Sequence, residues 1–244
     1  KKSEMSKDQN DTRIGFHSIE SILTHNPHKI KKVLLPANRD DERLNNLVKL
    51  LQGNNIPFEI SNKIKQEPEA KISAEQEKNF KDLKNFLDLE SSNNPLILIL
   101  DNIIDPRNLG ACIRSAAVIG VDAVIINKHQ CAPINAVAHK VSVGGAEVID
   151  IFHVTNLVNC LKHLSEINIT IYGLSEHADK SHTECSFTGA TALVMGSEES
   201  GVREKTLERC DNTISLSGNK LFKSFNVSVA TGIILSEASR QRQG

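Results

Sequence analysis

Three polar segments of this chain hold residue types that can bind and activate a ligand. The first, Asp105-Pro106-Arg107-Asn108-Leu109-Gly110-Ala111-Cys112-Ile113-Arg114, follows the apolar run LILILD at 96–101. Pro106 and Asn108 suit a turn and a helix N-cap. Leu109, Cys112, Ile113, Ala116 and Ala117 mark the buried stripe of that helix, and Arg114 falls beside it. The second, Met195-Gly196-Ser197-Glu198-Glu199-Ser200-Gly201-Val202-Arg203, has the glycine spacing of a phosphate loop. Val202 and Arg203 stand where such a loop needs Lys and Ser/Thr, and the Glu pair would repel phosphate. A tight turn offering backbone groups and one carboxylate to a neutral or cationic ligand fits better. The third runs from Ser217 to Gly232, a polar loop ending in Ser224-Phe225-Asn226 at the mouth of an apolar helix. Taken singly, each has an ordinary explanation: a surface ion pair for Arg114, a helix-entry turn for the second, a helix cap for Ser224 or Asn226.

The elements around these loops must place them together. In parallel α/β sheets, ligands sit outside the carboxyl ends of strands. From Pro95 onward, strands are expected at 96–101, 122–127, 148–154, 170–176, 192–196 and 213–217, with helices between them and a final helix over about 227–241. Such alternation predicts a mostly parallel sheet covered on both faces. Upstream, helices near 17–23 and 39–51 alternate with strands near 32–35 and 57–60. Residues 61–79 are charged and poor in apolar groups, and so read as linker or loop. The expected organisation is a disordered lead over 1–13, a small α/β domain over 14–60, linker and short helix over 61–90, and a second domain over 91–244.

Composition narrows the partners. The 244 residues carry 29 Lys+Arg against 30 Asp+Glu, which argues against broad electrostatic capture of nucleic acid. With no Trp and one Tyr, a platform of stacked bases is not expected. Local positive patches stand at Lys29–Lys32, Arg107, Arg114 and Lys220–Lys223; a solvated surface and an RNA-facing patch are equal readings of the first. The five Cys are scattered, without CxxC pairs, so reduced thiols are expected. No run reaches the roughly 20 apolar residues of a membrane span, and no signal peptide is visible, so a cytoplasmic location is expected. No His/Cys/Asp cluster suggests a metal.

Taken together, N-x-G-A-x-x-R, M-G-x-E-x-x-G and S-x-N-V-S-V-A resemble the motifs of the SpoU/TrmH family over about residues 95–242. These are RNA ribose 2′-O-methyltransferases of the knotted SPOUT class that use S-adenosylmethionine. The segment Gly15 to Leu23 resembles the start of the L30e-like substrate domain found in members that methylate a guanosine ribose near the peptidyl-transferase region of bacterial 23S rRNA. The chain departs from the family where I-P-M-x-G is common, having Ser215-Leu216-Ser217-Gly218-Asn219-Lys220 instead, and Phe225 stands in a Leu position. The resemblance implies a deep trefoil knot, a homodimer and a ribosomal RNA or assembling large-subunit substrate. It assigns Arg114 as the central catalytic residue, with Asn108, Glu198, Ser224 and Asn226 around it. It points to cofactor contacts near Gly196, Leu216, Phe225 and Asn226, with no metal. Stabilising a developing alkoxide suits an always-charged guanidinium better than acting as a base. The same motifs leave open another rRNA position, a tRNA substrate, or an RNA-binding assembly factor without catalysis.

Overall fold

The computed structural model describes residues 12–73, 76–90, 93–216 and 225–243. In chain order the elements are β1 (Thr12–Ile14), α1 (Phe16–His25), β2 (Ile30–Pro36), α2 (Glu42–Gly53), β3 (Phe58–Ser61), β4 (Glu69–Ile72), α3 (Phe80–Glu90) and β5 (Leu96–Leu100). There follow α4 (Pro106–Ile119), β6 (Ala123–Asn127), α5 (Ala136–Ser142), α6 (Gly145–Val148), β7 (Asp150–Val154), α7 (Leu157–Glu166) and β8 (Thr170–Leu174). The last are β9 (Thr191–Met195), α8 (Glu204–Leu207), β10 (Asn212–Ile214) and α9 (Val227–Arg242).

The second half builds a six-stranded, all-parallel sheet in the order β10-β8-β9-β5-β6-β7. Strand β5 is buried on both faces, and its alternation sorts residues between two cores. Leu96, Leu98 and Leu100 pack on one side with Leu109, Cys112, Ile113 and Ala116 of α4 and Ile234, Leu235 and Ala238 of α9. Ile97 and Ile99 pack on the other with Leu83 and Leu87 of α3 and Leu157, Cys160, Leu161 and Leu164 of α7. This is the α/β architecture expected from the alternation, with helices on both faces. From β10, at the sheet edge, the chain returns to lay α9 against α4. Residues 217–224 lie outside the described residues.

Three local expectations are corrected. Residues 61–79 are not all linker: β4 pairs antiparallel with both β1 and β2, and β3 runs parallel to β2. Its segment alternates in burial, with Ala70 and Ile72 inside and Lys71 outside, so charged residues masked a half-buried strand. Thr12 and Arg13 belong to β1 rather than to a disordered lead, and Arg13 is buried. Finally, α4 is capped by Asp105, whose side chain accepts from the Arg107 N–H at 2.8 Å, with Pro106 in its first turn. Asn108 lies inside the helix and is free for other work.

The two halves meet around α5 and α6. Glu147, its side chain 4% exposed, lies 2.5 Å from Arg13 Nε, 3.1 Å from His139 Nδ1 and 3.8 Å from Lys29 Nζ. Burial pushes the Glu147 carboxyl up, but the His139 contact and the Arg13 charge outweigh it and hold its pKa down at about 2. Lys29 therefore belongs to the domain junction, and Lys32 pairs with Glu59 at 2.6 Å. The two ends of the expected Lys29–Lys32 patch are thus committed within the protein.

Candidate active site

Three loops at the carboxyl edge of the sheet converge because β5 and β9 are neighbours and α9 returns beside α4. Asn108 Nδ2 donates to Glu198 Oε1 at 3.0 Å. Asn226 Nδ2 donates to the same oxygen and also to Asn108 Oδ1, the latter at 3.2 Å. The Val227 N–H approaches Glu198 Oε1 at 3.4 Å. Asn226 is the N-cap of α9, its Oδ1 accepting from the Ser228 N–H at 3.0 Å. One carboxylate oxygen thus ties all three motif loops through neutral donors, and Glu198 Oε2 has no partner among the described residues.

Arg114 lies six residues beyond Asn108 on α4, exposed, with no hydrogen bond or ion pair among the described residues. Asn108 and Glu198 contact each other and Asn226 rather than Arg114. Ser224 lies outside the described residues, as do Lys220–Lys223.

Beside the cluster is a cleft of about 240 Å³. Met195, Val202, Ile214, Leu216 and Val227 give it apolar walls, with Phe225 at 43% exposure near its mouth. Gly196, Leu216 and Phe225, three of the four expected cofactor positions, line it; Asn226 does not, and its neighbour Val227 takes that place. Backbone itself forms one wall: a Cβ at Gly196 would meet the Gly201 carbonyl carbon at 2.0 Å and the Val202 nitrogen at 2.1 Å. Only glycine permits that approach. Glu198, Glu199 and Glu176 stand around the cleft. Apolar walls suit a purine ring, and carboxylates suit a sulfonium and an ammonium group, so this lining fits S-adenosylmethionine.

The loop has a support that motif reading missed. Asp101, fully buried at the end of β5, receives Arg203 Nε at 2.9 Å, Arg203 Nη2 at 2.9 Å and Asn127 Nδ2 at 3.2 Å. Asn102 reaches Ser200 Oγ at 2.8 Å and Ser197 Oγ at 3.3 Å, its φ of 66° in the left-handed region that Asn tolerates. The Asp-Asn pair closing an apolar strand was the available signal. Nearby thiols are not nucleophiles at neutral pH, since burial pushes both Cys112 and Cys131 up to about 11. Among the described residues, no group of three or more His, Cys, Asp and Glu side chains is placed to hold a metal.

Residues 95–236 match the SpoU rRNA Methylase family, and residues 14–66 match the RNA 2′-O ribose methyltransferase substrate binding family. The chain is 38% identical over 238 residues to the 23S rRNA (guanosine-2′-O-)-methyltransferase RlmB of Escherichia coli strain K12, covering 93% of this chain and 97% of that protein. To the enzyme of the same name from Haemophilus influenzae it is 38% identical over 241 residues, covering 94% and 97%. Its fold is similar to that of the SpoU methyltransferase AviRb from Streptomyces viridochromogenes, with a TM-score of 0.82 at 20% identity, over all of this chain and 93% of that one. Motifs, fold and sequence likeness agree along nearly the whole length, and the chain belongs to the SpoU rRNA Methylase family.

Proposed function

We propose that this protein transfers a methyl group from S-adenosylmethionine to the ribose 2′-hydroxyl of a guanosine in 23S rRNA, near the peptidyl-transferase region. The observation carrying this reading is the Asn108–Glu198–Asn226 cluster beside a cation-compatible cleft. The guanosine and the RNA are supported by likeness to RlmB over 97% of that enzyme's length. The match at 14–66 favours an RNA substrate read by a separate domain; pairing of β4 with β1 and β2 extends that domain to residue 72.

When bound in the cleft, S-adenosylmethionine supplies an electrophilic methyl group. The chain aligns the ribose oxygen with it and stabilises the charge left as the hydroxyl proton departs. Arg114 supplies an always-charged guanidinium for that developing charge. Glu198, its Oε1 held by three donors, presents Oε2 to the ribose, while Asn108 and Asn226 fix the carboxylate. Ser224 completes the polar set from the third loop. Gly196, Leu216, Phe225 and Val227 enclose the cofactor, and no metal takes part.

The working unit is a homodimer in the cytoplasm, with the trefoil knot of its class. Among the described residues no helix is long and apolar enough to cross a membrane.

Incubating the protein with labelled S-adenosylmethionine and bacterial rRNA, then mapping the label, tests the proposal. Label on one guanosine ribose of 23S rRNA is expected. Label only on tRNA, or on a base, would overturn it.

A further inference from the structure

The exposed Arg114 side chain has no hydrogen bond or ion pair among the described residues, so the backbone of α4 sets where its guanidinium starts. Gly110, the glycine of the N-x-G-A-x-x-R segment, shows how that backbone is held. A Cβ there would meet the Ala138 carbonyl oxygen at 2.5 Å and Val141 Cβ at 3.0 Å, so α4 rests directly on α5. Four residues on, the contact passes to α6. A Cβ at Gly145, the first residue of α6, would lie 3.3 Å from Arg114 Cα, 3.2 Å from Ala117 Cβ and 3.4 Å from the Ile113 carbonyl oxygen. Positions 110, 114 and 117 are spaced four and three apart and share one face of the helix.

The other side of the α5–α6 turn belongs to the N-terminal domain. Gly144, at φ +88°, would bring a Cβ to 2.7 Å from Ser21 Cβ of α1, and Ser21 Oγ donates to the Gly144 carbonyl at 3.3 Å. Glu147, two residues into α6 from Gly145, receives Arg13. Val143, which ends α5, has φ 52° and ψ 42°, a left-handed conformation that a β-branched residue rarely adopts. Strain of that kind persists only where the surrounding structure enforces it. Here the sharp turn sets two adjacent glycines against opposite neighbours, Gly144 on α1 and Gly145 on the backbone of Arg114.

We infer that Gly145 is a positioning residue for methyl transfer. Its bare backbone lets α6 seat against α4 at Arg114, so the docking of the N-terminal domain onto α6 sets where the guanidinium stands. The inference rests on the proposed role of Arg114 and extends it to the element that aims that side chain. Close-packed interiors transmit strain to their neighbours. A reacting group misplaced by about 1 Å can lose about 10²-fold in rate.

The test uses the full chain and a 23S rRNA transcript. Gly145→Ala sets a methyl group 3.2–3.4 Å from Ala117, Arg114 and Ile113, which α4 must absorb by giving a few tenths of an ångström. Single-turnover transfer at saturating S-adenosylmethionine is expected to fall about 10-fold or more, with transcript affinity and S-adenosylhomocysteine affinity within about twofold of wild type. Adding Ala117→Gly removes the nearest contact and is expected to recover most of the lost rate, although a glycine inside α4 lowers Tm by a few degrees, on the order of 4 °C. Ala117→Val crowds the same contact from the α4 side, is expected to lose rate in the same way, and carries the test if Gly145→Ala does not fold. A wild-type rate in a folded single variant overturns the inference. A double variant whose rate follows Tm downward also overturns it, making Gly145 a packing residue only. A wild-type protein that transfers no methyl group, or an Arg114→Ala protein that transfers it at the wild-type rate, overturns the reading of Arg114 and this inference with it. Wild-type rates in the Gly145 and Ala117 variants beside an inactive Arg114→Ala overturn this inference alone.

Discussion

Glu147 and Glu198 are both carboxylates that draw distant parts of the chain together, and they do so by opposite means. Glu147 is buried and surrounded by Arg13, Lys29 and His139, which fix the N-terminal sheet onto α5 and α6. Glu198 is exposed, and its partners are two neutral amides and a backbone N–H. A buried carboxylate among cations is electrically spent, and its role is docking. An exposed one held by neutral donors keeps its charge and a free oxygen for a ligand. The difference separates a stability site from a functional one without appeal to motif.

The comparison breaks most visibly at Glu147. Replacing it by Ala removes the carboxylate that Arg13, Lys29 and His139 share at the junction, and is expected to cost about 3–5 kcal/mol in urea unfolding. Glu198→Ala is expected to do the reverse. Its stability cost stays within about 1 kcal/mol, while the rate of methyl transfer falls about 10²-fold or more, as measured by single-turnover transfer. Equal stability losses in the two variants would erase the distinction. Gly144, with φ of +88° and a built Cβ 2.7 Å from Ser21 Cβ, belongs to the same junction. Gly144→Ala is expected to cost about 1–3 kcal/mol in the same unfolding assay.

Acid sharpens the contrast further. His139 has its pKa lowered below 6.5, first by burial, so the unfolded chain takes up its proton more readily. Its contribution is complete above about pH 6.5 and declines as pH falls. Glu147, lowered from 4.5 to about 2, contributes fully above pH 4.5, and that contribution is lost as pH falls toward 2. Melting temperatures across pH 7 to 3 are therefore expected to fall in two stages, and Glu147→Gln is expected to remove the lower one.

Much of this was legible in the sequence wherever local patterning decided it. The uninterrupted apolar run of β5, the buried stripe of α4 and the apolar final helix α9 each announce their own element. The three motif loops could be named because their residue types are unusual for loops of their length. What was not legible depended on long-range encounter. Arg13 and Glu147 lie 134 positions apart, so nothing near Arg13 signals a buried pair. Lys29 read as part of a surface run until its partner appeared. Strand β4 hid because its outward residues are charged, and Asp105 rather than Asn108 caps α4 because Pro106 fixes the first turn three residues earlier.

The central claim, that these three loops carry ribose methyl transfer to 23S rRNA, is met most directly by mapping 2′-O-methyl groups in rRNA from cells lacking this chain. Those cells are then supplied with the wild-type protein or with Arg114→Ala. The account predicts that one guanosine loses its methyl group, regains it with the wild-type protein, and stays unmethylated with Arg114→Ala although that variant is folded. Unchanged 23S rRNA in the deleted cells, or full restoration by Arg114→Ala, would contradict it.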